Sequence, residues 1–115
     1  MHSAYIKINK ADNALIFRAE GHSGYSVAGQ DIVCAGASIL AMTLAETLAA
    51  AFKAGWVNDT VIVDLSADNT ELSCVAVDDA EFGELARAYL MIATGYHLLA
   101  QNYPEYVNFD FEIQT

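Results

Sequence analysis

Glu20-Gly21-His22-Ser23-Gly24-Tyr25-Ser26-Val27-Ala28-Gly29-Gln30-Asp31-Ile32-Val33-Cys34-Ala35-Gly36-Ala37-Ser38 is the stretch on which the reading of the fold turns. It starts where an alternating, strand-like segment stops and finishes inside an alanine-rich apolar segment that reads as a helix. Between the two lies a loop carrying Gly24 and Gly29, with Gly21 at its mouth. A histidine stands at the front of the loop and a cysteine just past its end.

The helix start decides what that cysteine can do. Asp31 is a favoured N-cap residue, and the run from Ile32 reads as the first turn. Cys34 then falls at the third helical position, among amides that lack intrahelical partners. Those amides and the helix dipole favour a thiolate over a thiol, and they are expected to be able to hold an oxyanion. Cysteine attacks as the thiolate, and His22, if within reach, takes the proton and returns it to a leaving group. Against this stands the plainer reading that Cys34 packs beneath the loop, as free cysteines commonly do, and that His22 is a surface residue. On the same plain terms Asp31 is a cap with no catalytic duty. Spacing alone leaves these readings side by side.

The residues also carry a resemblance. Gly21-His22-Ser23-Gly24-Tyr25, then Gly29-Gln30-Asp31-Ile32-Val33-Cys34-Ala35, then Ser38 resembles the signature of the ribosomal-processing cysteine protease family (Prp, also called YsxB-like). In that family a Gly-His-x-Gly-Tyr segment precedes Gly-x-Asp-Ile-Val-Cys-Ala-Ala-x-Ser. Ser23 sits where alanine is common and Gly36 where a second alanine is usual, and neither is expected to touch the Cys–His dyad. The resemblance implies a cysteine endopeptidase with Cys34 as nucleophile and His22 as general base and then acid. Asp31, Ser38, Gly21, Gly24 and Gly29 support them. It further implies a substrate: the short N-terminal extension of a large-subunit ribosomal protein, cut beside a paired-phenylalanine motif. A homodimer is implied too, and neither cofactor nor metal is expected. Tyr25 and Phe82 are aromatic residues able to line a pocket for such a substrate.

Composition narrows the classes. A chain of 115 residues reads as a single domain over 1–115, and 55% hydrophobic residues exclude disorder. Five basic against 15 acidic side chains, a net charge of −10, argue against direct nucleic-acid binding, which needs a basic face. The same charge suits solubility, or a basic polypeptide partner. Met1 to Lys7 lacks the long apolar segment of a secretory signal, so a reducing cytoplasm with free thiols is expected.

Residues 4–9 and the run Leu15 to Glu20 alternate and read as a hairpin around Asp12-Asn13. The loop glycines raise the possibility of phosphate binding, but no Lys-Ser/Thr follows Gly29, as a P-loop requires. Ile32 to about Ala54 reads as one long helix. Glu46 is its only charge before Lys53, so the segment is apolar nearly all round. Thr43, Glu46 and Thr47 interrupt it and basic flanks are missing, which argues against a membrane span. Such a helix needs cover on more than one face, from the sheet and then from a second helix or a second copy. Ser38, one turn beyond Cys34, lies on the same helical face, either near the thiol or bonded back to its own helix.

Gly55 closes the helix, and Trp56-Val57-Asn58-Asp59 reads as a turn. Thr60–Ser66 and Glu71–Val77 read as a second hairpin around Ala67-Asp68-Asn69-Thr70, with Cys74 assigned to packing. Asp78-Asp79-Ala80-Glu81 precedes a second helix, from about Ala80 to Asn102, with Phe82, Leu85, Tyr89, Ile92 and Tyr96 as its core stripe. Its acidic start matches no metal-binding loop. His97 has no evident role. Pro104 follows, and Tyr106–Ile113 supplies a last strand. The expected fold is α+β, a two-layer sandwich of order β-β-α-β-β-α-β. Its two helices pack on one face of a five-stranded, mostly antiparallel or mixed sheet. A non-catalytic ribosome-associated or assembly interaction module is the alternative function. A thiol-transfer protein is disfavoured because no Cys-x-x-Cys pair exists.

Overall fold

The computed structural model describes residues 1–27, 30–63 and 69–115. Strand β1 (His2–Asn9) turns through Asn13, at φ 53°, into β2 (Ala14–Glu20). Asparagine tolerates that left-handed conformation better than most residues. The two strands pair antiparallel with Ile6 opposite Phe17. Alternation puts Ala4, Ile6, Ile8, Leu15, Phe17 and Ala19 on one buried face.

Helix α1 (Ile32–Lys53) begins at the Asp31 cap, which has extended backbone angles. It ends at Ala54 and Gly55, which reverses the chain at φ +79°. Gly55 N–H donates to Phe52 O at 3.1 Å and Trp56 N–H to Ala51 O at 3.0 Å, a Schellman closure that satisfies two terminal carbonyls. Strand β3 (Val57–Val63) follows at once. The turn expected at Trp56–Asp59 is therefore strand from Val57 onward. Asn58 and Asp59 favour turns locally, but a register shift between Val57 and Asp59 absorbs them as a bulge. Strand β4 (Asn69–Ala76) includes Asn69 and Thr70, which had been assigned to the hairpin turn. The rest of that turn, and the expected strand end at Ser66, lie outside the described residues.

Helix α2 (Asp79–Asn102) is capped by Asp78, whose carboxylate accepts from Glu81 N–H at 2.8 Å. Its stripe of Phe82, Leu85, Tyr89, Ile92 and Tyr96 is buried as expected. Strand β5 (Val107–Gln114) runs parallel to β1, with Ile6 opposite Phe111. The other pairings are antiparallel, and the strand order is β3-β4-β2-β1-β5. The protein is thus a two-layer α+β fold, two helices against a five-stranded mixed sheet.

The helices run antiparallel to each other. Tyr96 OH donates to Ala37 O at 2.8 Å, and a side-chain carbon on Gly95 would stand only 2.5 Å from Leu40 Cδ2. One turn nearer the start of α1, the same test at Gly36 meets Leu99 at 3.6 Å. The beginning of α1 therefore lies beside the end of α2. Val33, Ala37, Ala41, Leu44, Ala45, Leu48 and Ala51 form the inward face of α1. By length and composition α1 would reach across a membrane. Ile39 and Met42 on its outer side, with Met91 and Leu98 on α2, remain exposed.

Candidate active site

Gly21 ends β2 at φ +82°, and a β-carbon there would strike the Met1 carbonyl oxygen. Only glycine meets both conditions without strain. His2 Nδ1 lies 2.9 Å from Gly21 O, so the mouth of the loop is pinned to the start of β1. His22 follows and is exposed. Gly24, at φ +73°, turns the chain again. Tyr25 then meets Tyr103 and Tyr106 edge-on, with ring centroids 5.4 and 5.2 Å apart. The loop is thereby laid against the connection between α2 and β5. Gly29 lies outside the described residues.

Asp31 gathers the loop onto the helix. Its Oδ1 accepts from Val33 N–H at 3.0 Å and from Cys34 N–H at 2.9 Å. Its Oδ2 accepts from Ser23 OH at 2.5 Å and from Ser26 N–H at 3.3 Å. Burial works to raise the Asp31 carboxyl, but the hydrogen bonds from Ser23, Cys34 and Ser26 outweigh it and hold it well below the usual carboxylate range. The capping geometry is as expected from sequence. It corrects a second expectation, because the amides of Val33 and Cys34 are engaged by Asp31 and are not open to an oxyanion.

Cys34 is a half-buried free thiol in the first turn of α1. Ser23 N–H points at its Sγ from 3.3 Å, and the Cys34 thiol donates to Ser23 Oγ at 3.5 Å. Ser23, expected to stand clear of this chemistry, instead touches the Cys34 sulfur and is 3% exposed. Nothing in the spacing announced it; the loop folds back so that Ser23 bridges thiol and cap. His22 is the adjacent residue, one peptide unit from that amide. Ser38 is exposed one turn further along α1 and takes no part in the hydrogen bonds around Cys34 among the described residues.

Other expectations sort cleanly. Cys74 is buried in the core, where burial pushes its thiol up to about 11 while a hydrogen bond with Tyr89 works the other way. Phe82 belongs to the opposite end of the molecule, in the core under Lys10, whose Nζ lies 5.2 Å from the ring centre. It is seventeen positions before Leu99 on α2, about 25 Å along the helix axis, so it lines no pocket shared with Tyr25. Tyr103 draws no reading from the sequence and Tyr106 is expected only as the start of the last strand, although aromatic residues flanking Pro104 at a helix end are a usable signal. Among the described residues no group of three His, Cys, Asp or Glu side chains is placed to hold a metal.

A capped thiol at the start of a helix, beside a glycine-bounded loop bearing a histidine, places this α+β protein among candidates for thiol-dependent hydrolysis. The chain belongs to the cysteine protease Prp family, whose model matches residues 1–108. No curated protein matches it. Solved structures share its fold. SMU.848 from Streptococcus mutans is 23% identical, with a TM-score of 0.71 over 99% of this chain and 96% of that one. An essential ribosomal processing protease Prp from S. aureus, in complex with a covalently linked product peptide, is 20% identical. Its TM-score is 0.67 over 96% of this chain and 99% of that one. The same S. aureus protein with a substrate peptide gives 18% identity and a TM-score of 0.62, with the same coverage.

Proposed function

We propose that this chain is a cysteine endopeptidase with Cys34 as nucleophile and His22 as general base and then acid. The supporting observation is the Cys34 sulfur at the capped start of α1, with the His22–Ser23 segment folded against it. His22 removes the thiol proton, and the thiolate attacks the scissile carbonyl carbon. The tetrahedral intermediate collapses as the same imidazole protonates the departing amine. Water, activated by His22, then cleaves the thioester and restores the free thiol. Asp31 holds the helix start and the loop together, with Gly21 and Gly24 turning the loop. Ser38 is a contact for substrate backbone near the thiol.

The substrate is the N-terminal extension of a large-subunit ribosomal protein, met in the cytoplasm. The sequence signature supports this reading, as does the likeness to a ribosomal processing protease bound to a peptide. The net charge of −10 favours a basic partner, so kcat/KM is expected to fall as salt rises. Neither nucleic acid nor membrane is part of this reading. A homodimer that covers the exposed Ile39, Met42, Met91 and Leu98 completes it. Sedimentation of Met42→Glu as a monomer, with wild type as a dimer, checks that element.

Mass spectrometry of a candidate extension peptide incubated with wild type and with Cys34→Ala tests the central reading. One specific cut by wild type and none by the variant is expected. Equal peptide survival with both proteins favours the interaction module instead.

A further inference from the structure

Strand β5 is the last in the order β3-β4-β2-β1-β5, so one of its edges has no strand beside it. The ladder to β1 decides which residues face that edge. His2 N–H donates to Tyr106 O at 2.9 Å and Lys10 N–H to Gln114 O at 2.8 Å. Bonding residues alternate in a parallel ladder, so the even-numbered residues of β5 turn their backbone groups to β1. Phe109, Phe111 and Ile113 turn their N–H and C=O groups outward. Edge strands are commonly blunted by Pro, Lys or a bulge. Residues 107–114 contain neither Pro nor Lys, and their register with β1 is unbroken.

The two faces of β5 differ in chemistry. On the helix side Phe109 stacks between Tyr96 at 5.8 Å and Phe111 at 6.5 Å. This apolar row runs on past the core to Phe111 and Ile113, which are 42% and 54% exposed. On the other face Glu112 pairs with Lys7 at 3.2 Å, whereas Asp110 is exposed and makes no ion pair among the described residues. Asp110 also walls a groove of about 440 Å³ on the helix-free side of the sheet, beside Tyr5, Glu20 and Asn108. Arg18, the one cation lining it among the described residues, is held by Glu71 at 3.3 Å.

These features select the occupant. A second copy laid antiparallel about residues 110–112 sets acidic side chains opposite one another, which is destabilising. A strand with Lys or Arg at alternate positions instead meets Asp110 and the acidic rim of the groove. Its intervening apolar side chains meet Phe111 and Ile113. Tyr106, immediately before β5, touches Tyr25 of the loop that carries His22, so a strand docked here runs from the catalytic end of the sheet.

We propose that the free edge of β5 is a docking strand for an extended basic segment of a polypeptide, which adds to the sheet as a sixth strand. Its apolar side chains lie over Phe111 and Ile113 and its basic ones over Asp110. The inference deepens the protease reading and rests on it for taking that polypeptide to be the protein substrate, held here outside the cleaved bond.

The probe is a short peptide alternating lysine with valine, set against a scrambled peptide of the same composition. Fluorescence anisotropy reads binding to the full chain carrying Cys34→Ala, so that cutting plays no part. Asp110→Lys and Ile113→Pro are each expected to weaken binding of the alternating peptide roughly tenfold or more. Proline at 113 removes an outward N–H and leaves the ladder to β1 intact. Glu84→Lys makes an equal change of charge at an exposed position on α2 and is expected to leave binding within about twofold. No binding of the alternating peptide, equal binding of the scrambled one, or equal weakening by Glu84→Lys overturns the proposal. Self-association abolished by Ile113→Pro also overturns it, by assigning the edge to a second copy. Amide exchange without any edge substitution covers the case of a poorly folded variant. The alternating peptide is expected to slow exchange at Phe109, Phe111 and Ile113 but not at Asn108, Asp110 and Glu112, and absence of that alternation overturns the proposal. Failure of peptide cleavage, by contrast, bears on the protease reading and leaves these measurements standing.

Discussion

Tyr25 stands edge-on to Tyr103, ring planes at 81° and centroids 5.4 Å apart, although one belongs to the loop and the other follows α2. With Tyr106 on its other side, Tyr25 ties the loop that carries His22 to the far end of the chain. Aromatic pairs of this kind contribute about 0.5–1.5 kcal/mol each beyond their burial. Tyr25→Ala is expected to raise amide exchange over residues 22–27 by roughly tenfold while the helices keep wild-type protection. Hydrogen exchange with mass spectrometry reads this directly.

The two thiols are expected to differ sharply. Cys74 is buried and its thiol is pushed up to about 11, so at neutral pH it is neither ionised nor accessible. Cys34 is half-buried at a loop edge. Iodoacetamide at pH 7 is expected to label Cys34 roughly a hundredfold faster than Cys74, or more. Peptide mapping after a timed quench gives the ratio.

Asp31 carries a pH dependence of known sign. Its carboxyl is depressed in the folded protein relative to an ordinary value of 3.8, so its contribution is full above that value and fades as the pH falls below it. Asp31→Ala is expected to lose about 1–2 kcal/mol at pH 7. The gap to wild type should narrow as the pH falls below about 4. Urea unfolding of both proteins at neutral and acid pH measures it.

Gly21 tolerates no side chain. In Gly21→Ala the new methyl meets the Met1 carbonyl, and the backbone is held at φ +82°. The expected cost is about 1–3 kcal/mol, together with loss of the His2–Gly21 contact and of most peptide cleavage. Gly24→Ala, which meets no neighbouring atom, is expected to be milder. Thermal melts and a cleavage assay on both variants test the ranking.

His22→Ala is expected to lower kcat by roughly 10²–10⁴-fold while leaving the fold intact, because His22 is exposed and contributes little to the core. Circular dichroism alongside single-turnover cleavage separates the two effects.

Much of the architecture was legible because punctuation and periodicity agreed. Asp31, Gly55, Asp78 and Pro104 mark helix limits by local chemistry. The stripe from Phe82 to Tyr96 marks a buried face by spacing alone. Strand neighbours were not legible, since the pairing of β1 with β5 joins distant segments with no local signal. The start of β3 was misread because Asn58 and Asp59 look like a turn until β4 supplies a partner. Around Cys34, the cap was legible from one residue. The engagement of its amides and the approach of Ser23 depend on how the whole loop folds back, which spacing does not encode.

The parallel pairing of β1 and β5 has a consequence for how the molecule comes into being. The first strand finds one of its two neighbours only when the last has been made, and closing so long a segment is slow. Met1 and His2, against which Gly21 rests, sit in that late-closing seam. The mouth of the loop is therefore seated only once β5 has joined the sheet, and a chain still short of that strand carries the Cys34 sulfur without this anchor.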